Sequence, residues 1–214
     1  MIKNLAPEEE YKAKSILEYG VEKTANALGS MLNREVSAVR IELKKYDDWV
    51  SLELEYGRTN TDHIIMLKTE LVGGVAGINY FLLSESEMKT IGKACLPEDL
   101  VKESSSSAAN FLVEFLKEIE NVLAAATISE ISDKLKTDLF GDVPKIQAIH
   151  ADRVNQIIER ETYGLHPSLV LHCHMHVPEL AISPDFLWFF NAAFLEKLKS
   201  LSESELLENV LIEK

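Results

Sequence analysis

The chain has 214 residues, of which 46% are apolar, so it can bury the core of one large domain or two small ones, and disorder is excluded. Its formal charge of −13 repels phosphate backbones and anionic lipid, which argues against nucleic acid and membranes as partners. No apolar run follows a basic start and no stretch could span a bilayer, so we expect a cytoplasmic protein. Cys95 and Cys173 are then expected to be reduced core thiols.

The first half of the chain predicts a helix, four strands and a second helix. Pro7 and the three glutamates after it suit the first turn of a helix that runs to about Asn33. Alternation of apolar and polar residues then predicts strands, and helical spacing returns after them. These elements are strands at 39–46 and 49–56 forming a hairpin, a strand at 63–71, a strand after the glycines of VGGVAG, and a helix at 85–96.

The second half begins at the polar run KESSSSAAN, residues 102–110, which offers several N-caps to a second long helix. This helix is predicted to extend to about Leu135. Strands at 168–180 and 185–191 follow, and an amphipathic helix precedes an acidic tail. The segment 141–165 matches the first hairpin poorly and predicts neither a hairpin nor a helix alone.

The order of elements in the two halves recurs. Leu28 and Leu32 fall on Ile131 and Leu135 at an offset of 103, and YFLLSESEMKTI falls on residues 187–198 at a slightly larger offset. We therefore predict an α+β fold in one domain, residues 1–214, made of two pseudo-repeats at about 7–100 and 103–205. The pseudo-repeats share a mostly antiparallel sheet, and the long helices pack against it.

The second long helix has two contrasting faces. At about 100° per residue, one stripe is apolar and is predicted to be buried: Leu112, Leu116, Ile119 and Leu123. The opposite stripe is polar and ends in a small residue: Glu114, Glu118, Asn121 and Ala125. Glutamates are ordinary on a solvated helix face, but asparagine is a mediocre residue in the middle of a helix. Asn121, one turn after Glu118, therefore indicates a specific use.

These residues resemble the helical signature of the CheC, CheX and FliY type phosphatases of bacterial chemotaxis. The signature is Asp or Ser, three residues, Glu, two residues and Asn, then small residues, Ser and Leu. Here the sequence reads Glu114, Glu118, Asn121, three alanines at 124–126, Ser132 and Leu135. The segment LVGGVAGINYFLL is similar to the family's glycine-containing strand pair, and the duplicated layout agrees with the family fold.

The sequence departs from the family pattern at three places. Glu114 replaces the opening Asp or Ser, and Ala125 replaces a common glycine. The first long helix offers Ser15 and Glu18 at the equivalent positions, or Glu18 and Val21 if shifted by one turn, and so lacks the Asn. We therefore expect one active site instead of two.

The resemblance implies a phosphatase that acts on the phosphorylated aspartate of a CheY-like response regulator. Asn121 would position the attacking water, Glu118 would anchor the regulator through its active-site lysine, and Glu114 would assist at the rim. The alanines would let the helix approach closely. Mg²⁺ would come with the regulator, so no cofactor of its own is expected, and a homodimer is a possible arrangement.

Other residue patterns point to different functions. His172, His174 and His176 alternate on a strand, but they span about 13 Å, and no carboxylate or cysteine is expected to complete a metal site. They predict a polar or interface-facing strand surface. His150 and Asp152 lack a nucleophile elbow, and VGGVAG lacks the ending of a phosphate-binding loop. The main alternative is a non-catalytic adaptor that binds a regulator, related to the flagellar switch or to chemotaxis scaffolds.

Overall fold

The computed structural model describes residues 6–46, 63–97 and 106–201. Within these ranges the chain forms five α-helices and seven strands in two connected groups. The first group is α1 (Pro7–Leu32), β1 (Ser37–Lys45), β2 (His63–Gly73), β3 (Gly77–Ser84) and α2 (Glu85–Cys95). The second group is α3 (Ser106–Leu135), β4 (Leu139–Gly141), β5 (Lys145–His150), α4 (Val154–Thr162), β6 (Pro167–His176), β7 (Asp185–Asn191) and α5 (Ala192–Ser200).

The ends of α1 follow from local chemistry and confirm the predicted bounds. Pro7 occupies the first turn, and the backbone N–H of Ala6 donates to Glu9 Oε2 at 3.0 Å. At the other end Asn33 takes a left-handed conformation with φ of 51°, which asparagine tolerates better than most residues. The helix therefore starts and stops at residues suited to those positions.

All seven strands belong to one antiparallel sheet in the order β1-β6-β7-β3-β2, with β4 and β5 both paired to the outer edge of β2. The predicted α+β class with a mostly antiparallel sheet is confirmed. β1 pairs with β6 from the second half, while the predicted hairpin partner of β1, residues 49–56, lies outside the described residues. Each half therefore contributes an outer strand to the edge of the other half.

Both faces of the sheet are covered by apolar side chains. On one face Trp188, Phe190 and Phe186 belong to the main core, which includes the buried faces of α1 and α3. On the other face Leu187 and Phe189 join a second core with Val154 and Ile158 of α4. Because side chains alternate along a strand, the nearly continuous apolar run of β7 supplies both cores.

Two contacts relate the halves in the way that two-fold symmetry would. Thr24 of α1 and Thr127 of α3 share a hydrogen bond of 2.7 Å between their hydroxyls, and they are separated by the offset of 103 found in the sequence. Tyr80 of β3 pairs directly with Leu187 of β7, the residues that the other sequence match superimposes. Duplication stays a prediction, and both contacts agree with it.

The segment 141–165, for which no single element was predicted, contains both kinds of structure. β5 pairs with β2 from His63 to Lys68, and α4 follows after one 3₁₀ turn. Cys95 is half-buried rather than in the core, Cys173 is fully buried, and both are free thiols. No helix in the described ranges has the length and apolar character needed to cross a membrane.

Candidate functional site on helix α3

The 30-residue helix α3 lies with one side against the sheet and one side exposed. Leu116, Ile119 and Leu123 are fully buried and Leu112 is half-buried, as the periodicity predicted. Every residue of the predicted polar stripe is exposed: Glu114, Glu118, Asn121 and Ala125. The structure therefore brings the four predicted site residues onto one accessible surface, which we call the α3 face.

Asn121 lies near the middle of this face. Its side chain makes no hydrogen bond with any residue that the structure describes, and it is exposed to solvent. An amide carries a carbonyl oxygen that accepts and an NH₂ group that donates, so it can hold a water on both sides. Asn121 thus offers a complete, unused set of hydrogen-bonding groups to a second molecule.

The two glutamates of the α3 face differ in their surroundings. Glu114 Oε1 accepts from Lys117 Nζ at 2.8 Å, an exposed pair of the kind that contributes little to stability. Glu118 has no ion pair or hydrogen bond among the described residues. Because it stands one turn before Asn121, its carboxylate and the amide lie side by side. Glu118 is the more available of the two anions for a cationic partner group.

A groove of about 290 Å³ runs between α3 and β4 beside Asn121 and Ala125. Phe140 and Gly141 of β4 form its opposite wall. A Cβ atom on Gly141 would lie 3.1 Å from Ile128 Cδ1 and 3.2 Å from Thr69 Cγ2, so glycine allows β4 to pass close to the helix. The exposed ring of Phe140 gives this groove an apolar rim next to the polar residues.

The three alanines do not act as one set, and this corrects the sequence interpretation. Ala124 is 1% exposed and packs in the core, and Ala126 is half-buried. Only Ala125 lies on the α3 face, where its methyl group leaves the space beside Asn121 open. The reason for small residues is therefore divided: Ala124 serves packing, and Ala125 shapes the groove.

A buried carboxyl group beneath the groove was not predicted from the sequence. Glu120 is fully buried, and its Oε1 accepts from the hydroxyl of Thr69 at 2.8 Å, while its Oε2 has no hydrogen-bond partner. Burial raises the pKa of Glu120 to about 8, although the bond from Thr69 acts in the opposite direction. A signal was present in the sequence, because Glu120 follows Leu116 by one turn on the apolar stripe.

The histidines of β6 are not the polar surface that the sequence predicted. His172 and His174 are 6% and 2% exposed, and both contact Asp185 at the start of β7. The expectation that no carboxylate lies near them is therefore wrong. His176 is separate, since its Nδ1 lies 3.0 Å from Ser183 Oγ. Burial, and then the charge of His174, lowers the pKa of His172 to about 3.

His150 and Asp152 are in contact, with Nδ1 and Oδ1 2.7 Å apart, and both are exposed. In the part of the chain that the structure describes, no serine hydroxyl is hydrogen-bonded to this pair. The contact is that of an ordinary surface pair.

Comparison with known proteins identifies the fold. No protein-family model matches the chain, and no curated protein matches it either. Thermotoga maritima FliY is similar in structure, with a TM-score of 0.62 and 15% identity over 95% of this chain and 98% of that chain.

Two further solved structures have the same fold. A CheC-like superfamily protein from Shewanella sp. PV-4 has a TM-score of 0.51 and 14% identity over 83% of this chain and 98% of its own. A chain of the CheX-CheY-BeF3-Mg²⁺ complex from Borrelia burgdorferi has a TM-score of 0.53 and 11% identity over 81% and 96%. The chain therefore has the fold of the FliY, CheX and CheC-like proteins, as its residues predicted.

Proposed function

We propose that this protein binds a phosphorylated CheY-like response regulator with the α3 face and accelerates hydrolysis of its phosphoaspartate. The observation that carries the proposal is the exposed amide of Asn121, which has no partner among the described residues and lines a groove beside Ala125. The shared fold supports it, because one structural neighbour is a CheX protein solved in complex with CheY, BeF3 and Mg²⁺. Fold likeness alone does not fix function, so the proposal rests on the site.

The reaction needs little covalent chemistry from the protein. A water oxygen attacks phosphorus, the bond from phosphorus to the aspartyl oxygen breaks, and the products are inorganic phosphate and a free aspartate carboxylate. The barrier is governed by placing the water in line and by balancing charge on the phosphoryl oxygens. In the proposed complex the carbonyl oxygen of Asn121 accepts from the water and so orients its lone pair. Mg²⁺ is contributed by the regulator.

Glu118 is proposed to hold the two proteins in register. Its carboxylate has no ion pair among the described residues, so it can bind a lysine at the regulator's phosphorylation site without first giving up a partner. Glu114 would have to share its charge with Lys117, which suits a weaker contact at the rim. The division gives Glu118 the larger part of the binding energy.

The groove is proposed to receive backbone or side chains of the regulator next to its phosphoryl group. Ala125 leaves room beside the amide, and Phe140 can cover part of the interface from water. Exclusion of water strengthens the electrostatic interactions that act on the phosphoryl group. Such an encounter requires that the protein and the regulator share the cytoplasm.

The test is to add the purified protein in substoichiometric amounts to the phosphorylated response regulators of its own cell and to follow phosphate release. We expect one regulator to lose phosphate faster, with each protein molecule acting many times. A hundredfold acceleration would correspond to about 2.7 kcal/mol of transition-state stabilisation, which positioning by one amide and docking can supply. If every regulator loses phosphate at its intrinsic rate, the phosphatase proposal is wrong.

The second candidate function is a non-catalytic adaptor that binds the regulator through the same face. The first long helix favours it to some degree, because α1 presents Glu18 in place of the asparagine. The same assay separates the two functions. An adaptor would bind the phosphorylated regulator, as measured by calorimetry, without changing the rate of phosphate release.

A further inference from the structure

A buried cluster of two imidazoles and one carboxylate lies on the sheet face opposite to α1 and α3. His172 and His174 are two residues apart on β6, so both side chains point to the same face. Asp185 is the first residue of β7 and the direct cross-strand partner of His174. All three side chains are therefore held by two hydrogen-bonded strands inside the sheet, where the backbone is fixed on both sides.

The polar atoms of this cluster converge on one point. His172 Nε2 lies 3.0 Å and His174 Nδ1 lies 2.5 Å from the same oxygen, Oδ1 of Asp185. The three atoms lie within 4.8 Å of one another, and the centroids of the two rings are 4.3 Å apart. Ligands on a tetrahedral zinc ion with bonds of about 2.0–2.1 Å stand about 3.3 Å from each other. The cluster would need to open by less than about 1 Å to admit an ion.

We propose that His172, His174 and Asp185 form a binding site for one divalent transition-metal ion, with zinc as the expected occupant. Two neutral imidazole nitrogens and a carboxylate oxygen are a common donor set for such ions, whereas Mg²⁺ prefers oxygen ligands alone. Three protein ligands leave a fourth position on a tetrahedral ion for water or another small ligand. The site is distinct from the α3 face, because it lies on the opposite face of the sheet.

The burial of the cluster also favours a cation. Asp185 has no exposed surface, and His172 and His174 are almost as deeply buried. A carboxylate so far from bulk water is costly unless positive charge lies beside it. Either a proton held by an imidazole or a metal ion bound by all three groups can supply that charge. The metal satisfies all three donors at once, and a proton satisfies only one hydrogen bond.

The test uses the purified full chain after removal of metal with EDTA. We expect zinc, titrated by isothermal calorimetry, to bind with a stoichiometry of one, and cobalt(II) in its place to give the visible absorption of a tetrahedral site. Excess Mg²⁺ should not compete. Failure of the wild-type protein to bind one equivalent of zinc or cobalt would overturn the proposal and leave a protonated, hydrogen-bonded cluster as the explanation.

Variants locate the bound ion. His172→Gln and Asp185→Asn should each weaken zinc binding at least about a hundredfold, with circular dichroism used to confirm that each variant is folded. The matched controls are His176→Ala, on the same strand but bonded to Ser183, and His150→Ala, on the surface. Both controls should bind zinc as the wild type does. Loss of binding in a control with retention in His172→Gln would contradict the proposal.

Discussion

The two long helices present different surfaces at equivalent positions. With the offset set by the Thr24 and Thr127 contact, Glu18 of α1 stands where α3 has Asn121, and Glu22 stands where α3 has Ala125. Both glutamates are exposed. The framework is thus shared, while one face carries an amide beside a methyl group and the other carries two carboxylates. This difference locates the proposed chemistry in a few side chains instead of in the fold.

The grooves beside the helices differ as well. The groove at α3 includes Asn121 and Ala125, whereas the groove at α1, about 470 Å³ in volume, lies nearer the end of the helix around Asn26, Ser30 and Arg34. Beneath the helices, Glu120 of α3 is buried where α1 has the buried apolar Leu17. A carboxyl group in the core is a cost to stability that only the α3 half bears at this pair of positions. Substitutions at these positions should therefore have unequal effects on the two halves.

The largest effect is expected from Glu120 and concerns stability. In the unfolded chain its pKa returns to about 4.5, whereas burial holds the pKa at about 8 in the folded protein. Between these values the folded protein keeps a proton that the unfolded chain has lost, so the free energy of unfolding falls as pH rises. The fall is up to about 1.4 kcal/mol for each pH unit, and the stability present below about pH 4.5 is lost by about pH 8.

Denaturant unfolding of Glu120→Gln across this range measures the effect. The variant should lack this part of the pH dependence, while the exposed Glu118→Gln should keep it. Equal slopes in the wild type and Glu120→Gln would show that Glu120 is ionised in the folded protein.

The next largest effect is expected when α3 receives a residue of the α1 face. Ala125→Glu places a carboxylate in the groove beside Asn121, where it would clash with the regulator and repel its phosphoryl group. We expect phosphate release to slow by about a hundredfold, equivalent to about 2.7 kcal/mol. The reciprocal change, Glu22→Ala on α1, should leave the rate unaltered. A wild-type rate for Ala125→Glu would mean that this groove does not receive the regulator.

A smaller effect is expected at Glu118. Glu118→Ala removes the proposed ion pair to the regulator, and binding measured by calorimetry should weaken about tenfold, or about 1.4 kcal/mol. Added salt should reduce the difference between the variant and the wild type, because the lost interaction is electrostatic. Glu18→Ala, on the equivalent face of α1, is the control and should bind normally. Should both variants weaken binding alike, the two faces would contribute equally.

The smallest effect concerns the shared framework. Thr24→Val leaves the hydroxyl of Thr127 without its partner, which should lower the free energy of unfolding by about 1 kcal/mol. The double variant with Thr127→Val should recover part of this loss, because neither helix then presents an unpaired hydroxyl at the contact. Thermal unfolding of the single and double variants measures the coupling. Purely additive losses would show that the hydroxyl pair does not link the helices.

The sequence predicted those features that a regular period encodes. The polar stripe of α3 follows from about 3.6 residues per turn, so the spacing of Glu118 and Asn121 was enough to predict that both lie on the exposed face. The bounds of α1 followed from Pro7 and Asn33, and β7 was predicted at its observed residues. In each case the residues that decide the structure are close together in the chain.

The features that the sequence did not predict depend on distant residues. Asp185 lies beside His172 and His174 only because β6 and β7 pair in a particular register. Glu120 is buried because the sheet and Thr69 lie beneath it, although its place on the apolar stripe was a local sign of burial. β1 pairs with β6 rather than within its own half. Alternation along a strand predicts which side chains share a face, but not which strand comes next to it.

The most direct test of the proposed mechanism compares the wild type with Asn121→Ala at concentrations that saturate the phosphorylated regulator. We expect the variant to bind the regulator with the same affinity, because Glu118 and the groove remain, and to leave phosphate release at the regulator's intrinsic rate. Asn26→Ala, which removes an exposed amide from α1, should behave as the wild type. If Asn121→Ala accelerates phosphate release as well as the wild type does, the amide does not position the water, and the proposed mechanism is wrong.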